Sequence, residues 1–261
     1  MISFYSILSL FCWLIASFFS IKRREKKAII WQTAGVLIFA VMITCMWVIL
    51  QRPPFKTIGE TKIWYSFFLS AIGFIIFLRW RTSYFLTLTN ILAAVFVIIT
   101  ICNPARQSHV LAPALQSVWF IPHVAIYMFA YATIGCATIL ALLELMPGIS
   151  HYRYLECAKD TKMKCDLLVK IGTSALGIGL CLGAIWAKKA WGQYWSWDIK
   201  ETAALITWVI FLLYIHIQKF SKINRKVLLI ILIIGFLALQ FTWFGVKYLP
   251  SGNASPHNYL N

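Results

Sequence analysis

Apolar residues are grouped along the chain into eight long runs that are separated by short polar and basic segments. A helix that crosses a bilayer needs about 20 predominantly apolar residues, and most of the runs approach that length. The pattern therefore predicts an all-α polytopic membrane protein with about eight transmembrane helices and a single domain over residues 1–261. The predicted spans run from Ile2 to Ile21, Ala28 to Leu50, Ile63 to Leu78, Tyr84 to Ile101, Phe120 to Leu145, Leu167 to Ala187, Glu201 to Ile217 and Val227 to Val246.

Composition supports a membrane setting and makes nucleic acid an improbable partner. Of the 261 residues, 61% are hydrophobic and 12% are charged, whereas a soluble domain is about 45–50% apolar. The formal net charge of +16 would suggest nucleic acid in a soluble protein, but here the basic residues cluster in short loops between apolar runs. We therefore expect a lipid bilayer, and no nucleic acid, as the surroundings of the chain.

The basic residues also predict an orientation in the membrane. Of the 24 Lys and Arg residues, 16 lie in the odd-numbered loops between spans, and loops rich in Lys and Arg stay in the cytoplasm. Both termini are therefore expected outside the cytoplasm. This orientation puts three histidines on the outer side (His109, His123 and His257) and two on the inner side (His151 and His216).

Histidines are the main candidates for chemistry. The sequence has no phosphate loop, H-E-x-x-H, G-x-S-x-G or C-x-x-C motif, which argues against phosphoryl transfer, zinc or serine hydrolysis and thiol exchange. His123 and His216 lie inside predicted spans, where an ionisable side chain marks a candidate functional site. His123 shares a helical stripe with Tyr127 and Tyr131, and it is either a neutral imidazole bonded to a backbone carbonyl or an axial ligand of haem iron. Spacing alone leaves both interpretations open.

A dense aromatic segment, residues 186–201, is predicted in an external loop. It holds Trp191, Tyr194, Trp195 and Trp197, followed by Asp198. Interfacial aromatic belts and a capping box from Asp198 to Glu201 account for part of this pattern. A flat indole surface beside histidines also suits a planar macrocycle, whose edge carboxylates could meet three nearby lysines (Lys188, Lys189 and Lys200).

Residues 191–208, W-G-Q-Y-W-S-W-D-I-K-E-T-A-A-L-I-T-W, resemble the tryptophan-rich WWD motif of the system II cytochrome c biogenesis family, of the CcsA or ResC type. Three further stretches resemble the same family: residues 52–66, 111–124 and 244–252. The chain has Ile199 and Ala203 where the family usually has Pro and Trp. The family's C-terminal G-L-H-S-Y corresponds only loosely to residues 252–259, G-N-A-S-P-H-N-Y.

The resemblance implies a haem-handling subunit of a cytochrome c synthase in a bacterial inner membrane, with the tryptophan-rich segment on the periplasmic side. With a CcsB/ResB-like partner, such a subunit carries haem b outward and presents it for thioether attachment to the C-x-x-C-H segment of apocytochrome c. His123 and His257 would ligate the outer haem iron, with His109 as the alternative to His257, and His216 would belong to a second haem site within the membrane.

The substrate thiols react, so the chain is expected to have no catalytic residue of its own. Because it has no C-x-x-C pair, another protein must keep those thiols reduced. Two alternatives remain at this point. One is a haem-delivery protein of the CcmC type, which is expected to have six spans and no equivalent of His216, and the other is a small-solute transporter without haem.

Overall fold

A computed structural model describes residues 2–102, 113–145, 158–220 and 223–249. These residues form eight long α-helices, and no strand occurs among them. Each helix is long and apolar enough to cross a membrane, so the chain is an all-helical integral membrane protein, as predicted. The helices are α1 (Ile2–Ile21), α2 (Glu25–Leu50), α3 (Ile58–Trp80), α4 (Ser83–Cys102), α5 (Phe120–Leu145), α6 (Ala158–Trp191), α7 (Ile199–Ile217) and α8 (Arg225–Gln240).

Two helices begin well before the apolar runs that predicted them. α3 begins at Ile58 because Thr57 and Glu60 form a capping box, in which each side chain accepts a hydrogen bond from the other residue's backbone N–H. α6 begins at Ala158 and includes a charged first part. From residue 161 onward, the buried positions of that part are Thr161, Lys164 and Cys165, which is the three- and four-residue spacing of an amphipathic helix. A scan for apolar runs misses such a face.

The helices fall into two compact units, unit 1 (residues 1–109, with α1 to α4) and unit 2 (residues 110–261, with α5 to α8). In unit 1, α1 packs against α2 and α4, and α3 packs against α2 and α4. In unit 2, α5 packs against α6 and α8, and α7 packs against α6 and α8. Each unit is therefore a bundle of four helices.

Every helix of unit 1 contributes one side chain to a buried polar network. Gln32 and Asn90 exchange amide hydrogen bonds, from Gln32 Nε2 to Asn90 Oδ1 (3.1 Å) and from Asn90 Nδ2 to Gln32 Oε1 (2.8 Å). Gln32 Nε2 also donates to Ser70 Oγ (2.9 Å), and Asn90 Nδ2 donates to Ser17 Oγ (3.1 Å). Since lipid offers no partner to a polar group, these bonds favour one relative arrangement of the four helices.

The connection between α2 and α3 contains the first residues of the 52–66 stretch that resembles the family, and a charged side chain, Glu60, organises it. Arg52 makes a two-pronged ion pair with Glu60, from Nη1 to Oε2 (2.9 Å) and from Nη2 to Oε1 (2.7 Å). Glu60 Oε2 also accepts the backbone N–H of Lys56 (2.7 Å). Burial and the Arg52 charge lower the pKa of the Lys56 ammonium, and Glu60 opposes this effect. The Glu60 carboxylate is therefore the structural centre of this connection.

The four helices of unit 2 meet at the guanidinium of Arg225 on α8. It donates from Nε to Glu144 Oε1 (2.9 Å) and from Nη2 to Glu144 Oε2 (3.0 Å) on α5. Its Nη1 donates to Asp166 Oδ1 on α6 (3.2 Å) and to the Tyr214 hydroxyl on α7 (3.0 Å). The Tyr214 hydroxyl in turn donates to Asp166 Oδ1 (2.6 Å). This ion network ties the helices together at the end of unit 2 that is opposite the connection between α6 and α7.

Replacing Arg225 with Met is expected to destabilise unit 2 because Glu144 and Asp166 would lose their shared counter-ion while remaining largely buried. We expect a loss of about 2–3 kcal/mol, below the range for a fully buried pair because the Arg225 side chain is 21% exposed. Denaturant-induced unfolding of the purified chain in bicelles, followed by circular dichroism, measures this loss.

The matched control is Lys219→Met, which removes a cation from an exposed position just after the C-terminal end of α7, the end at which Tyr214 contacts Arg225. This substitution should change stability by no more than about 0.5 kcal/mol. Equal effects of the two substitutions would show that the Arg225 network does not stabilise the bundle.

Candidate functional site

Two glycines of α6 let α5 approach closely. A methyl group added at Gly179 would lie 2.7 Å from Tyr127 Cε1, and one added at Gly183 would lie 2.7 Å from His123 Cε1. Both distances are too short for carbon atoms, so any larger residue would push the α5 side chains away. The Gly179-x-x-x-Gly183 pattern is a close helix-packing motif, and it brings His123 against α6.

The His123 ring is oriented by a backbone carbonyl of α6. Its Nδ1 lies 2.9 Å from the Gly179 carbonyl oxygen. Because a carbonyl oxygen only accepts hydrogen bonds, Nδ1 carries the proton, and in the neutral ring the lone pair is on Nε2. Histidines that ligate metals are commonly held in this way, with the other nitrogen donating to a carbonyl or carboxylate. His123 thus donates to a carbonyl, and in the neutral form of the ring its lone pair is on Nε2.

Aromatic side chains surround the His123 ring. Trp186 stacks on it at 5.5 Å between centroids with planes 24° apart. Phe120 and Trp191 each meet the Trp186 ring edge to face, at 5.1 Å and 4.8 Å. The Trp186 indole N–H donates to the Ala114 carbonyl (2.9 Å), which holds the indole in place. Trp191 is therefore linked to His123 through Trp186, a residue that the sequence pattern did not single out as part of the site.

The aromatic contacts continue along α5 away from the tryptophan-rich segment. His123 and Tyr127 are 4.6 Å apart, Tyr127 and Tyr131 are 5.7 Å apart, and Tyr131 meets Trp243 at 5.5 Å. The predicted helical stripe of His123, Tyr127 and Tyr131 is confirmed. Trp243 lies in a π-helical turn, Phe241–Gly245, that follows α8. Such turns are rare in proteins, and those that occur are often found at functional sites.

The tryptophan-rich segment is shorter outside the helices than the sequence suggested. Residues 186–191 form the last turns of α6, and α7 begins at Ile199, so only residues 192–198 connect the two helices. On this connection Tyr194 is 60% exposed and Trp197 is 71% exposed. The Lys188 ammonium caps the turn by donating to the Gly192 carbonyl (2.8 Å) and lies 5.5 Å from the Tyr194 ring centroid.

The structure thus separates the predicted aromatic residues into two groups. Trp191 belongs with Trp186 and His123, whereas Trp195 and Trp197 meet edge to face on the connection, with centroids 5.9 Å apart. The predicted site residue Asp198 caps α7, since its Oδ1 accepts the Lys200 backbone N–H (2.8 Å). The capping box predicted from Asp198 to Glu201 is confirmed.

Trp197 has a left-handed backbone conformation, with φ of +58°. For a bulky residue this conformation costs about 1–3 kcal/mol. Glu201 offsets that cost because its Oε2 accepts the backbone N–H of Ser196 (2.8 Å) and of Asp198 (3.2 Å), on either side of Trp197. Hydrogen bonds to a charged group contribute about 1.5–3 kcal/mol each where they are buried and less where they are exposed, as here. The sequence indicated a helix cap here and gave no signal of the left-handed residue.

His216 lies near the other end of unit 2, on an exposed face of α7. Its Nδ1 is 2.7 Å from the Leu212 carbonyl oxygen on the preceding turn, so this ring also carries its proton on Nδ1. His123 packs against Gly183 of α6, whereas Tyr214, near His216, bonds to Asp166 of α6. These two positions on α6 are separated by about 25 Å at 1.5 Å per residue, so one iron cannot bind both histidines.

The remaining predicted histidines, His109, His151 and His257, lie outside the described residues. Among residues 2–102, 113–145, 158–220 and 223–249, no group of three or more His, Cys, Asp or Glu side chains could hold a metal ion. Haem iron needs only two protein ligands, since the porphyrin supplies the other four. His123, in the tautomer described above, is suited to supply one of them.

Comparisons with known proteins relate the chain to proteins of cytochrome c assembly. A family model described as cytochrome C assembly protein matches residues 1–253. A protein named cytochrome c biogenesis protein CcsA from Cuscuta exaltata is 29% identical over 253 residues, covering 84% of this chain and 82% of the relative. The protein of that name from Panax ginseng is 27% identical over 254 residues, covering 81% and 79%. That of Chlamydomonas reinhardtii is 33% identical over 174 residues, covering 62% and 47%.

The match extends across all eight helices rather than over the tryptophan-rich segment alone. The resemblance drawn from the sequence is confirmed, and the eight helices of the described residues exceed the six spans expected of the CcmC type. The chain belongs to the cytochrome c assembly protein family and has a role in cytochrome c biogenesis.

Proposed function

We propose that this chain is the haem-handling subunit of a cytochrome c synthase, with His123 as one axial ligand of haem at the tryptophan-rich end of unit 2. The observation that carries the proposal is the Nδ1–H bond from His123 to the Gly179 carbonyl. It assigns the lone pair to Nε2, and the stacked Trp186 limits rotation of the ring. Membership of the cytochrome c assembly family supplies haem as the group to be bound.

The reaction served is the addition of two apocytochrome thiols to the haem vinyl groups. Each S–H adds across a vinyl C=C bond, with sulfur bonding to one carbon and hydrogen to the other, so there is no net oxidation. The chain contributes position, because holding haem and thiols in the reactive geometry replaces an unfavourable encounter in solution. A separate thiol reductant keeps the substrate cysteines free for this addition.

The second outer ligand is proposed to be His257, with His109 as the alternative. Two imidazoles from one chain would give a low-spin, six-coordinate haem b. The exposed indole of Trp197 and ring of Tyr194 offer apolar surface for the macrocycle. Lys188, Lys189 and Lys200 provide cations near the same connection for its carboxylates.

A second haem position is proposed at His216. Its Nδ1–H is bonded to the Leu212 carbonyl, which again leaves Nε2 as the ligand atom, and its ring is exposed at the surface of unit 2. An exposed imidazole on a membrane helix suits a site completed by another subunit. The proposed partner is a CcsB/ResB-like membrane protein that supplies the second ligand.

The proposed membrane is one whose outer face meets apocytochrome c, a bacterial inner membrane, with the connection between α6 and α7 on the periplasmic side. The excess of Lys and Arg in the odd-numbered loops supports this orientation. Haem would then move from the His216 end of unit 2 to the His123 end, which is the outward direction.

The purified complex is expected to carry low-spin, bis-histidine haem, and His123→Ala should lower haem occupancy and abolish cytochrome c maturation. Visible absorption and electron paramagnetic resonance spectra of the complex measure the ligation, and covalent haem staining of the cytochrome measures maturation. Maturation at the normal rate in His123→Ala would exclude this ligand assignment.

Gly183→Ala tests the same site without removing the ligand. The added methyl would displace the imidazole, and we expect haem affinity to fall about 10- to 100-fold, as when the hydrogen-bond support of a ligand is lost. Gly35→Ala is the matched control, because a methyl there would lie 2.6 Å from Trp13, in unit 1, and would strain helix packing without contacting a histidine.

In the two-subunit complex, His216→Ala is expected to weaken haem delivery to the outer site. Added imidazole should partly restore delivery because it can occupy the vacated iron position. The chain expressed without its partner should lose the inner haem. Unchanged haem content and cytochrome yield in His216→Ala would rule out the second site.

Orientation is testable with exposed cysteines at the two ends of unit 2. Native Cys165 is unsuitable because it is fully buried. In intact cells, Gln193→Cys should react with a membrane-impermeant maleimide, whereas Lys219→Cys should react only after permeabilisation; both parent residues are exposed. The reverse labelling pattern would invert the proposed topology.

A further inference from the structure

We infer that Glu201 is a positioning residue that holds the exposed indole of Trp197 as a stacking surface for the porphyrin plane. The inference rests on the proposed haem-handling function. It adds to that function a residue, Glu201, that does not contact haem itself but positions Trp197 against it. It follows from the backbone conformation of Trp197, from the hydrogen bonds around it and from a comparison with the cap of α3 in the same chain.

The conformation of Trp197 is unusual within this molecule. The other described non-glycine residues with positive φ are Arg23, Gln51 and Arg81. Each of them follows a helix C-terminus, where a left-handed residue is common. Trp197 instead precedes the N-cap of α7 and is the largest side chain of the four, so the usual role of a left-handed residue does not explain it.

A helix cap does not require this conformation either. α3 begins with the same reciprocal capping box, formed by Thr57 and Glu60. The residue before that box, Lys56, is not among those with positive φ. Capping chemistry is therefore the same at both helices, and the left-handed residue is an additional feature of the tryptophan-rich connection.

Glu201 and its neighbour hold backbone groups on both sides of Trp197. Glu201 Oε2 accepts the Ser196 N–H (2.8 Å), the Ser196 hydroxyl (3.2 Å) and the Asp198 N–H (3.2 Å). Thr202 Oγ1 donates to the Trp197 carbonyl (3.3 Å). One carboxylate oxygen thus draws together the residues that flank Trp197 and directs the chain through a tight turn at that position.

The outcome of this turn is an ordered, exposed aromatic surface. The Trp197 side chain is 71% exposed, and the Trp195 ring meets it at 85°, which leaves a broad indole face open. A surface ordered before binding spares the ligand the cost of ordering a mobile loop. A planar aromatic macrocycle is the ligand chemistry that such a face suits.

The test uses the full chain in detergent, labelled with fluorotryptophan, and two probes, haemin and metal-free protoporphyrin IX. The fluorine resonance of Trp197, assigned by its absence in Trp197→Phe, reports the ordering of the indole before any porphyrin is added. Metal-free protoporphyrin reports stacking alone, since it has no iron for a histidine to ligate. Affinities for both probes are measured in Glu201→Ala, Glu201→Gln, Trp197→Ala and the Glu201→Ala/Trp197→Ala double variant.

Glu201→Ala should shift or broaden the Trp197 resonance and weaken protoporphyrin binding about threefold to tenfold, the range expected for one aromatic contact. Glu201→Gln keeps an oxygen acceptor and should retain most of the affinity. In the Trp197→Ala background, Glu201→Ala should cause no further loss, because the carboxylate acts through the indole. Thr57→Ala, which removes the α3 cap acceptor, is the matched control and should leave porphyrin affinity unchanged.

An unchanged Trp197 resonance in Glu201→Ala would overturn the inference, as would a shifted resonance with unaltered protoporphyrin affinity. It would also be overturned if Glu201→Ala lowered porphyrin affinity equally in the wild-type and Trp197→Ala backgrounds. Failure of the proposed function has a different result. His123→Ala should weaken haemin binding but not protoporphyrin binding, and if haemin binding is unaffected the iron ligand is wrong while the result for Glu201 stands. A wild-type chain that binds neither probe would exclude haem handling itself.

Discussion

The hydrogen bond from His123 Nδ1 to the Gly179 carbonyl makes the tautomer of the His123 ring depend on the packing of α5 against α6. It can form only because α5 lies close to α6, and that approach depends on the two glycines that leave room for Tyr127 and the imidazole. The same bond decides which nitrogen carries the proton. A substitution that separates the two helices therefore removes the contact that fixes the His123 tautomer, in addition to lowering the stability of the bundle.

Lipid surroundings place a second constraint on the structure, since buried polar groups need partners within the protein. Unit 1 meets it with the amide pair of Gln32 and Asn90, and unit 2 meets it with the guanidinium of Arg225. Both networks join four helices, so each unit has a specified arrangement despite its apolar surface. In unit 2 this arrangement leaves the opposite end to carry the His123 site and the strained turn at Trp197.

Much of the fold was predictable from local patterns because a spanning helix is defined by its own length and hydrophobicity. The capping box from Asp198 to Glu201 and the stripe from His123 to Tyr131 were predictable for the same reason, since both depend on spacing within one helix. The charged start of α6 at Ala158 was not, because two of its buried residues, Thr161 and Lys164, are polar, and their burial becomes evident only beside the neighbouring helices.

By itself, the sequence determined that the chain has about eight apolar helices, a tryptophan-rich segment and histidines inside two spans. Only the tertiary structure decided the tautomer of His123, the stacking of Trp186 on its ring and the left-handed turn at Trp197. For His123 the physical reason is range: hydrophobic periodicity acts over a few residues, whereas the carbonyl that orients His123 is 56 residues away in the chain. The left-handed turn at Trp197 is local, since the hydrogen bonds from Ser196 and Asp198 to Glu201 span five and three residues. The sequence pattern missed it because a capping box does not by itself require a positive φ.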